Sequence, residues 1–380
     1  MRKQILVLVI IIGFLFTGGL PCSGEDFSKH QFFKNGFGSM SSLENFKIPN
    51  PAILKKKLVK KPSPDEPFVD IYVNGATGKD KPKRGYSPER ALKTIGYAIS
   101  RVPFMRPSSD FYANIHIAEG AYNEYMTINI DRVGLYGAGS DNTQIVGSEE
   151  FDTIDVINSD NIIIEAIKIV NGYNGIDFEG SSGMITDTTI AESFNNGIFV
   201  RASSNIVIKD CLVKDTTGNF GIGLHVSESS HAYLTGNVSF VSNYLYGIAV
   251  SNNGSVDSNM ANVTASGSTG AGLFLSQFSG IWLFASTFSA VDNNTGIVLG
   301  QESILTATGG KLTAKDNNFI GLFVDGGTIN FDWGEGNSII DNGQDLILQF
   351  GARASFYGED EIGDISCDGT VLIRGNQSCP

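Results

Sequence analysis

A short phrase, glycine–apolar–any–apolar, returns seven times along this chain at nearly constant spacing. The copies are Gly175-Ile176-Asp177-Phe178, Gly197-Ile198-Phe199-Val200, Gly223-Leu224-His225-Val226, Gly247-Ile248-Ala249-Val250, Gly272-Leu273-Phe274-Leu275, Gly296-Ile297-Val298-Leu299 and Gly321-Leu322-Phe323-Val324. The intervals are 22, 26, 24, 25, 24 and 25 residues, a mean of about 24. The phase continues forward at Leu346-Ile347-Leu348. Backward it runs through Ile154-Asp155-Val156, Val133-Gly134-Leu135 and Ile115-His116-Ile117. Between copies lies a second alternating stretch, such as Ile206, Ile208, Cys211 and Val213. A period in the twenties with β-branched alternation specifies a stacked solenoid. Leucine-rich repeats need a leucine framework and a phased Asn that this chain lacks, and propeller blades are longer. The expected fold is all-β: a right-handed parallel β-helix.

The distribution of proline supports this. Of 11 prolines, ten lie between Pro21 and Pro107 and the last is Pro380, while the 45 glycines continue throughout. A proline inside a central coil would delete a ladder hydrogen bond. The first strand is expected at Phe68, with Val69, Ile71 and Val73 alternating. Ser87-Pro88 then reads as a helix start, with Ala91, Leu92, Ile95, Ala98 and Ile99 on one apolar face. That helix would cover the open end of the stack.

Residues 1–24 read as a signal peptide. Arg2 and Lys3 precede an apolar run from Ile5 to Phe16, too short for a comfortable membrane span of about 20 residues. A lipid anchor on Cys22 is the minority alternative, and no other stretch could cross a membrane. Residues 25–67 form a basic, proline-containing spacer, and 68–380 the β-helix, with an N-terminal cap (68–110) and a stapled tail (360–380). The expected location is secreted or cell-surface, with the periplasm as an alternative. Cys367 and Cys379 are expected to form the staple, since export permits a disulfide. Cys211 falls in an apolar alternation and is expected in the core. The formal net charge is −13. Between Val133 and Phe350 only Lys168, Arg201, Lys209, Lys214, Lys311 and Lys315 are basic, against 23 acidic residues. Such a surface is a poor partner for nucleic acid.

Three segments resemble the opening of the pectin lyase-like superfamily: Ile71-Tyr72-Val73-Asn74-Gly75, Ser87-Pro88-Glu89-Arg90-Ala91-Leu92-Lys93-Thr94-Ile95, and Ile115-His116-Ile117-Ala118-Glu119-Gly120-Ala121-Tyr122. Glu119 stands where that pattern has proline. The resemblance covers Phe68 to Cys379 and implies the β-helix fold and a polysaccharide or cell-surface glycan as partner. It does not select an activity, because the superfamily holds lyases, hydrolases, epimerases, adhesins and non-catalytic modules. The Asn-Thr-Asp, Asp-Asp, Gly-His-Gly and Arg-Ile-Lys motifs of its hydrolases are absent.

Alternation places the residue between the two apolar positions on the outside. The expected outer column runs His116, Gly134, Asp155, Asp177, Phe199, His225, Ala249, Phe274, Val298, Phe323, Ile347, with Glu179 and Arg201 one step further along their strands. Asp155 and Asp177 on adjacent coils would sit about 5 Å apart. Carboxylates that close suit a hard cation, so Asp155, Asp177 and Glu179 are the candidate Ca²⁺ ligands. Asp177, Arg201 and His225 are the candidate catalytic groups of a Ca-assisted lyase or a hydrolase. Phe199, Phe274 and Phe323 are the candidate sugar-stacking rings. The alternative is a non-catalytic glycan-binding or adhesin-like surface module. Asn-rich turns, among them Asn293-Asn294 and Asn317-Asn318, are expected to form structural ladders.

Overall fold

The structure is a computed structural model, and it describes residues 67–332, 336–357 and 359–380. The signal peptide, Cys22 and all of the spacer except Pro67 lie outside the described residues. Among the described residues, every strand pairing within the two sheets is parallel. A typical coil places two strand segments in a 22-stranded sheet (sheet 1) and one in an 11-stranded sheet (sheet 2). One coil runs along sheet 1 as Asn205–Lys209 and Leu212–Lys214, then enters sheet 2 as Ile222–Val226.

The bend between the two sheet 1 segments needs one left-handed residue per coil. Ala166, Asp187, Asp210, Gly236, Met260, Ala285 and Gly309 occupy it in turn, with φ of 60, 50, 50, 69, 49, 45 and 60°. Only two are glycine, so stacking imposes a backbone conformation that isolated L-residues avoid. Inside the coils, Ile176, Phe178, Ile198, Val200, Leu224 and Val226 are fully buried, as are their counterparts further along.

The repeated glycines have a steric cause. A Cβ on Gly175, Gly197, Gly223, Gly247, Gly272 or Gly296 would lie 2.6, 2.7, 2.5, 2.7, 2.9 or 2.4 Å from the carbonyl oxygen of the matching glycine one coil on. The column therefore permits close approach of successive backbones where the chain enters sheet 2.

The asparagine ladder is present at that corner. The Oδ1 atoms of Asn293, Asn317 and Asn342 accept backbone N–H groups of Ser268, Asn293 and Asn317 at 2.9, 3.0 and 3.0 Å. Their amide nitrogens donate to the carbonyls of Ala265, Ala290 and Ala314. These inward-facing backbone groups would otherwise be unpaired. A serine ladder through Ser159, Ser181, Ser204 and Ser230 does the same at the opposite corner.

The helix near the N-terminus starts later than the sequence implies. Pro88–Arg90 is a single 3-10 turn, and Leu92 bridges Val73. Helix α1 spans Ile95–Met105 and buries Ile95, Ala98, Ile99, Val102 and Met105. Its first N–H groups, on Ile95 and Gly96, donate to the Glu124 carboxylate at 3.0 and 2.9 Å, and Thr94 Oγ1 caps Tyr97 N–H. That bidentate acidic cap from the first coils fixes the start of the helix, overriding the Ser-Pro signal. At the other end, Cys367 and Cys379 are joined by a disulfide. Cys211 is buried and its thiol is pushed up to about 12 by burial, which suits a core residue.

Candidate functional site

The outer column of sheet 2 agrees with the sequence from Asp155 onward. Asp155 pairs with Asp177, Asp177 with Phe199, Phe199 with His225, and Glu179 with Arg201. Before Asp155 the expectation fails. Met126-Thr127-Ile128 is the strand beside Ile154–Ile157, so Thr127 heads the column. Ile115-His116-Ile117 and Val133-Gly134-Leu135 belong to sheet 1. Alternation is the same in both sheets, and without the glycine marker it cannot tell them apart. His116 instead hydrogen-bonds Asp70 at 2.7 Å and stacks between Tyr72 and Tyr136.

Asp177 is 2% exposed. Arg201 Nε donates to both its oxygens, at 3.3 and 3.2 Å, and Arg201 Nη2 reaches Glu179 at 2.7 Å. Burial still outweighs this partner and pushes Asp177 up to about 7. Asp155, half-buried, is pushed up to about 6, first by desolvation and then by the Asp152 charge. The sequence missed Asp152, which lies in the turn before the strand, where alternation carries no information. Carboxylate oxygens of Asp152, Asp155 and Asp177 lie within 4.8 Å of one another, close enough to hold a metal ion. Glu179 is not part of this trio.

His225 stacks on Phe199 at 4.8 Å and shares a hydrogen bond with Ser251 Oγ at 3.1 Å. Burial pushes its imidazole down to about 4. Phe199 lies between it and Asp177 in the column, so the three expected catalytic groups do not meet at one point. The sign of the pH effect follows. An unfolded imidazole titrates near 6.5, so as pH falls from about 6.5 toward 4 the unfolded chain takes a proton that folded His225 refuses, and stability drops. His231, also pushed down to about 4 by burial, adds to this, whereas Asp155, Asp177 and Asp257, all pushed up, act in the opposite sense. Relative to the parent, His225→Phe is expected to gain stability as pH falls from 7 to 4.5, measured as the difference in melting temperature between the two proteins. An unchanged difference across that range refutes the assignment.

Two of the three expected stacking rings are covered. Phe274 is 2% exposed, stacked on Tyr246 at 4.7 Å, and Phe323 is 7% exposed. Outward direction in the pleat does not mean exposure once neighbouring side chains close over it. Phe199 is partly exposed and carries the Arg201 guanidinium 5.6 Å from its ring centre. The open rings lie elsewhere, in the turns that enter sheet 2: Tyr125 (60% exposed), Phe151 (48%) and Tyr173 (42%). Together with Glu150, Asp152 and Asp155 they line a cleft of about 290 Å³. Of the residues singled out from sequence, only Asp155 lines it.

Residues 123–277 match the family model described as the right handed beta helix region, a span that holds this cleft. With the parallel strand pairing, this match makes the expected right-handed parallel β-helix the fold of this chain. No curated protein matches it significantly. Three solved structures are among those similar to this chain. The enzymatically active domain of tailspike protein 2 from bacteriophage CBA120 is 10% identical, with a TM-score of 0.43 over 67% of this chain and 47% of that one. Pectate lyase Pel9A is 11% identical, with a TM-score of 0.46 over 82% of this chain and 80% of that one. Full-length tailspike protein 2 from the Escherichia coli O157:H7 bacteriophage is 12% identical, with a TM-score of 0.48 over 74% and 40%. The match thus spans less than half of either tailspike chain, and at these identities the likeness is one of fold alone.

Proposed function

We propose that this protein is a polysaccharide-binding β-helix whose binding face is the cleft before sheet 2, formed by Tyr125, Phe151, Tyr173 and Asp155. The observation that carries this reading is the cleft itself: three exposed rings beside carboxylates, a pairing of apolar faces with hydrogen-bond acceptors that suits sugars. The geometry favours binding over β-elimination or hydrolysis. Asp177 is closed off by Arg201, Arg201 is held by two carboxylates, and His225 is neutral behind Phe199. The N-terminal sequence supports export, with residues 1–24 as signal and 25–67 as a spacer giving the displayed domain reach. Among the described residues, no helix is long and apolar enough to cross a membrane.

A divalent ion such as Ca²⁺ on Asp152, Asp155 and Asp177 is a second reading, favoured by the closeness of their oxygens. The donor set fits it poorly. Ca²⁺ takes six to eight oxygens, whereas both Asp177 oxygens already receive Arg201 and Asp152 Oδ1 already accepts Asn174 N–H at 2.9 Å. The guanidinium also places a fixed positive charge beside the trio.

The test is retention of the protein on immobilised neutral, uronate and amino-sugar polysaccharides, with and without Ca²⁺, while ultraviolet absorbance and reducing ends are recorded. We expect retention on at least one polymer without product, weakened at least tenfold by Tyr173→Ala. Product formation would replace the binding reading with a catalytic one, and retention on none would remove it.

A further inference from the structure

Building on the binding reading, we infer that the cleft selects a polysaccharide bearing free ammonium groups, an amino-sugar polymer, rather than a uronate chain. Three observations point there. The first is charge. Glu150, Asp152 and Asp155 line the cleft and no basic residue does. Between residues 133 and 200 the chain holds eleven acidic residues and one basic residue, Lys168, which lies on sheet 1. The nearby Arg201 is spent on Asp177 and Glu179. A polyanion would meet net repulsion from the three lining carboxylates, whereas an ammonium group would meet attraction.

The second observation is the rings. A hard metal ion is satisfied by oxygens alone and gains little from aromatic walls. A sugar ring with an ammonium substituent uses both, laying its C–H face on an aromatic ring and its charge against the carboxylates and the ring face. The free faces are available. Tyr125 stacks on Phe151 at 4.7 Å, and Tyr173 lies against Phe194 at 6.0 Å, so the rings form two separate pairs. Phe151 and Tyr173, one from each pair, both line the cleft.

The third is repetition. Exposed rings recur in the turn entering sheet 2 in six successive coils: Tyr125, Phe151, Tyr173, Phe194, Phe220 and Tyr244. Coils stack about 4.8 Å apart, so this edge presents a row of rings, one per coil, to a linear, repeating ligand running parallel to the stack. The acidic residues concentrate at its N-terminal end and would bind the charged unit there.

The experiment compares one polymer in two chemical states. Soluble β-linked glucosamine oligomers and the same oligomers after N-acetylation are titrated into the protein by calorimetry, with a uronate oligomer plus Ca²⁺ as a third ligand. We expect the free-amine oligomer to bind at least tenfold more tightly than its acetylated form. Asp155→Asn and Glu150→Gln should each shrink that ratio by weakening the free-amine oligomer more than its acetylated form. Equal affinity for the two states, or preference for uronate with Ca²⁺, overturns the ammonium inference and leaves glycan binding intact. Binding of none of the three, together with failure on every immobilised polymer, removes both.

Discussion

Replacing Gly247 with alanine is expected to destabilise the protein by about 3 kcal/mol, the upper part of the range for overpacking a filled site. The added Cβ would lie 2.7 Å from the Gly272 carbonyl oxygen and 2.9 Å from Ala265 Cβ. Neither neighbour is the free end of a flexible side chain. The first is the backbone of the next coil and cannot retreat without lengthening ladder hydrogen bonds on both sides. Gly369→Ala is the matched control. Gly369 is exposed and a Cβ there has nothing within 4 Å, so the substitution should be close to neutral. Denaturant unfolding of both variants checks this. Equal midpoints would mean that the glycine column reflects turn chemistry and not close approach. The damage should also travel, because in a solenoid each coil is held mainly by its neighbours. Hydrogen exchange in Gly247→Ala should accelerate in the sheet 2 strands Ile222–Val226, Tyr246–Val250 and Ala271–Leu275 before it does so elsewhere.

The same column explains what could be read in the sequence. From Gly175 to Gly321 close approach of successive backbones demands glycine at one corner of the coil, so it marks the phase, and from Gly175 onward the sheet 2 strands fall where the phrase places them. Asp155, Asp177, Phe199 and His225 follow in register because period-2 alternation and coil spacing both fix them. The first coils carry no such glycine, so Ile115–Ile117 and Val133–Leu135 alternate identically on the wrong sheet. The cleft lay outside the reach of alternation for a different reason. Tyr125, Phe151, Asp152 and Tyr173 are turn residues, whose exposure depends on the path of the chain and not on a face. A signal was nonetheless present: an aromatic residue just before each sheet 2 strand from Met126–Ile128 to Tyr246–Val250. Phe274 shows the opposite failure, since its position in the pleat is outward but Tyr246 covers it. The Asp177–Arg201 contact was foreseeable only in part. Coil spacing puts Arg201 opposite Glu179, and only the side-chain path brings its Nε back to Asp177.

That contact gives the second large expected effect. Arg201→Ala should cost about 3 kcal/mol at pH 8. Removing one partner of a buried pair costs about 3–5 kcal/mol, and the lower end applies because the Arg201 side chain is 30% exposed, which screens part of the interaction. Asp177 would be left 2% exposed with no guanidinium beside it. Its pKa, about 7 with Arg201 in place, would rise further, since Arg201 is the main influence lowering it. The folded state then holds this proton more tightly than an unfolded chain, whose aspartate titrates near 3.9. The Asp177 contribution to stability is therefore greatest in acid and falls as pH rises through the folded pKa, a window that reaches higher in the variant than in the parent. The destabilisation should accordingly shrink at pH 5, where Asp177 is already protonated. The double variant Asp177→Asn with Arg201→Ala should be more stable than Arg201→Ala alone at pH 8, because the orphaned charge is gone. An Arg201→Ala protein that melts with the parent at pH 8 would show that Asp177 is neutral in the parent as well. The contact would then be a hydrogen bond to a carboxylic acid, and a proton donor would sit behind the cleft, reopening the catalytic role that the closed ion pair argues against.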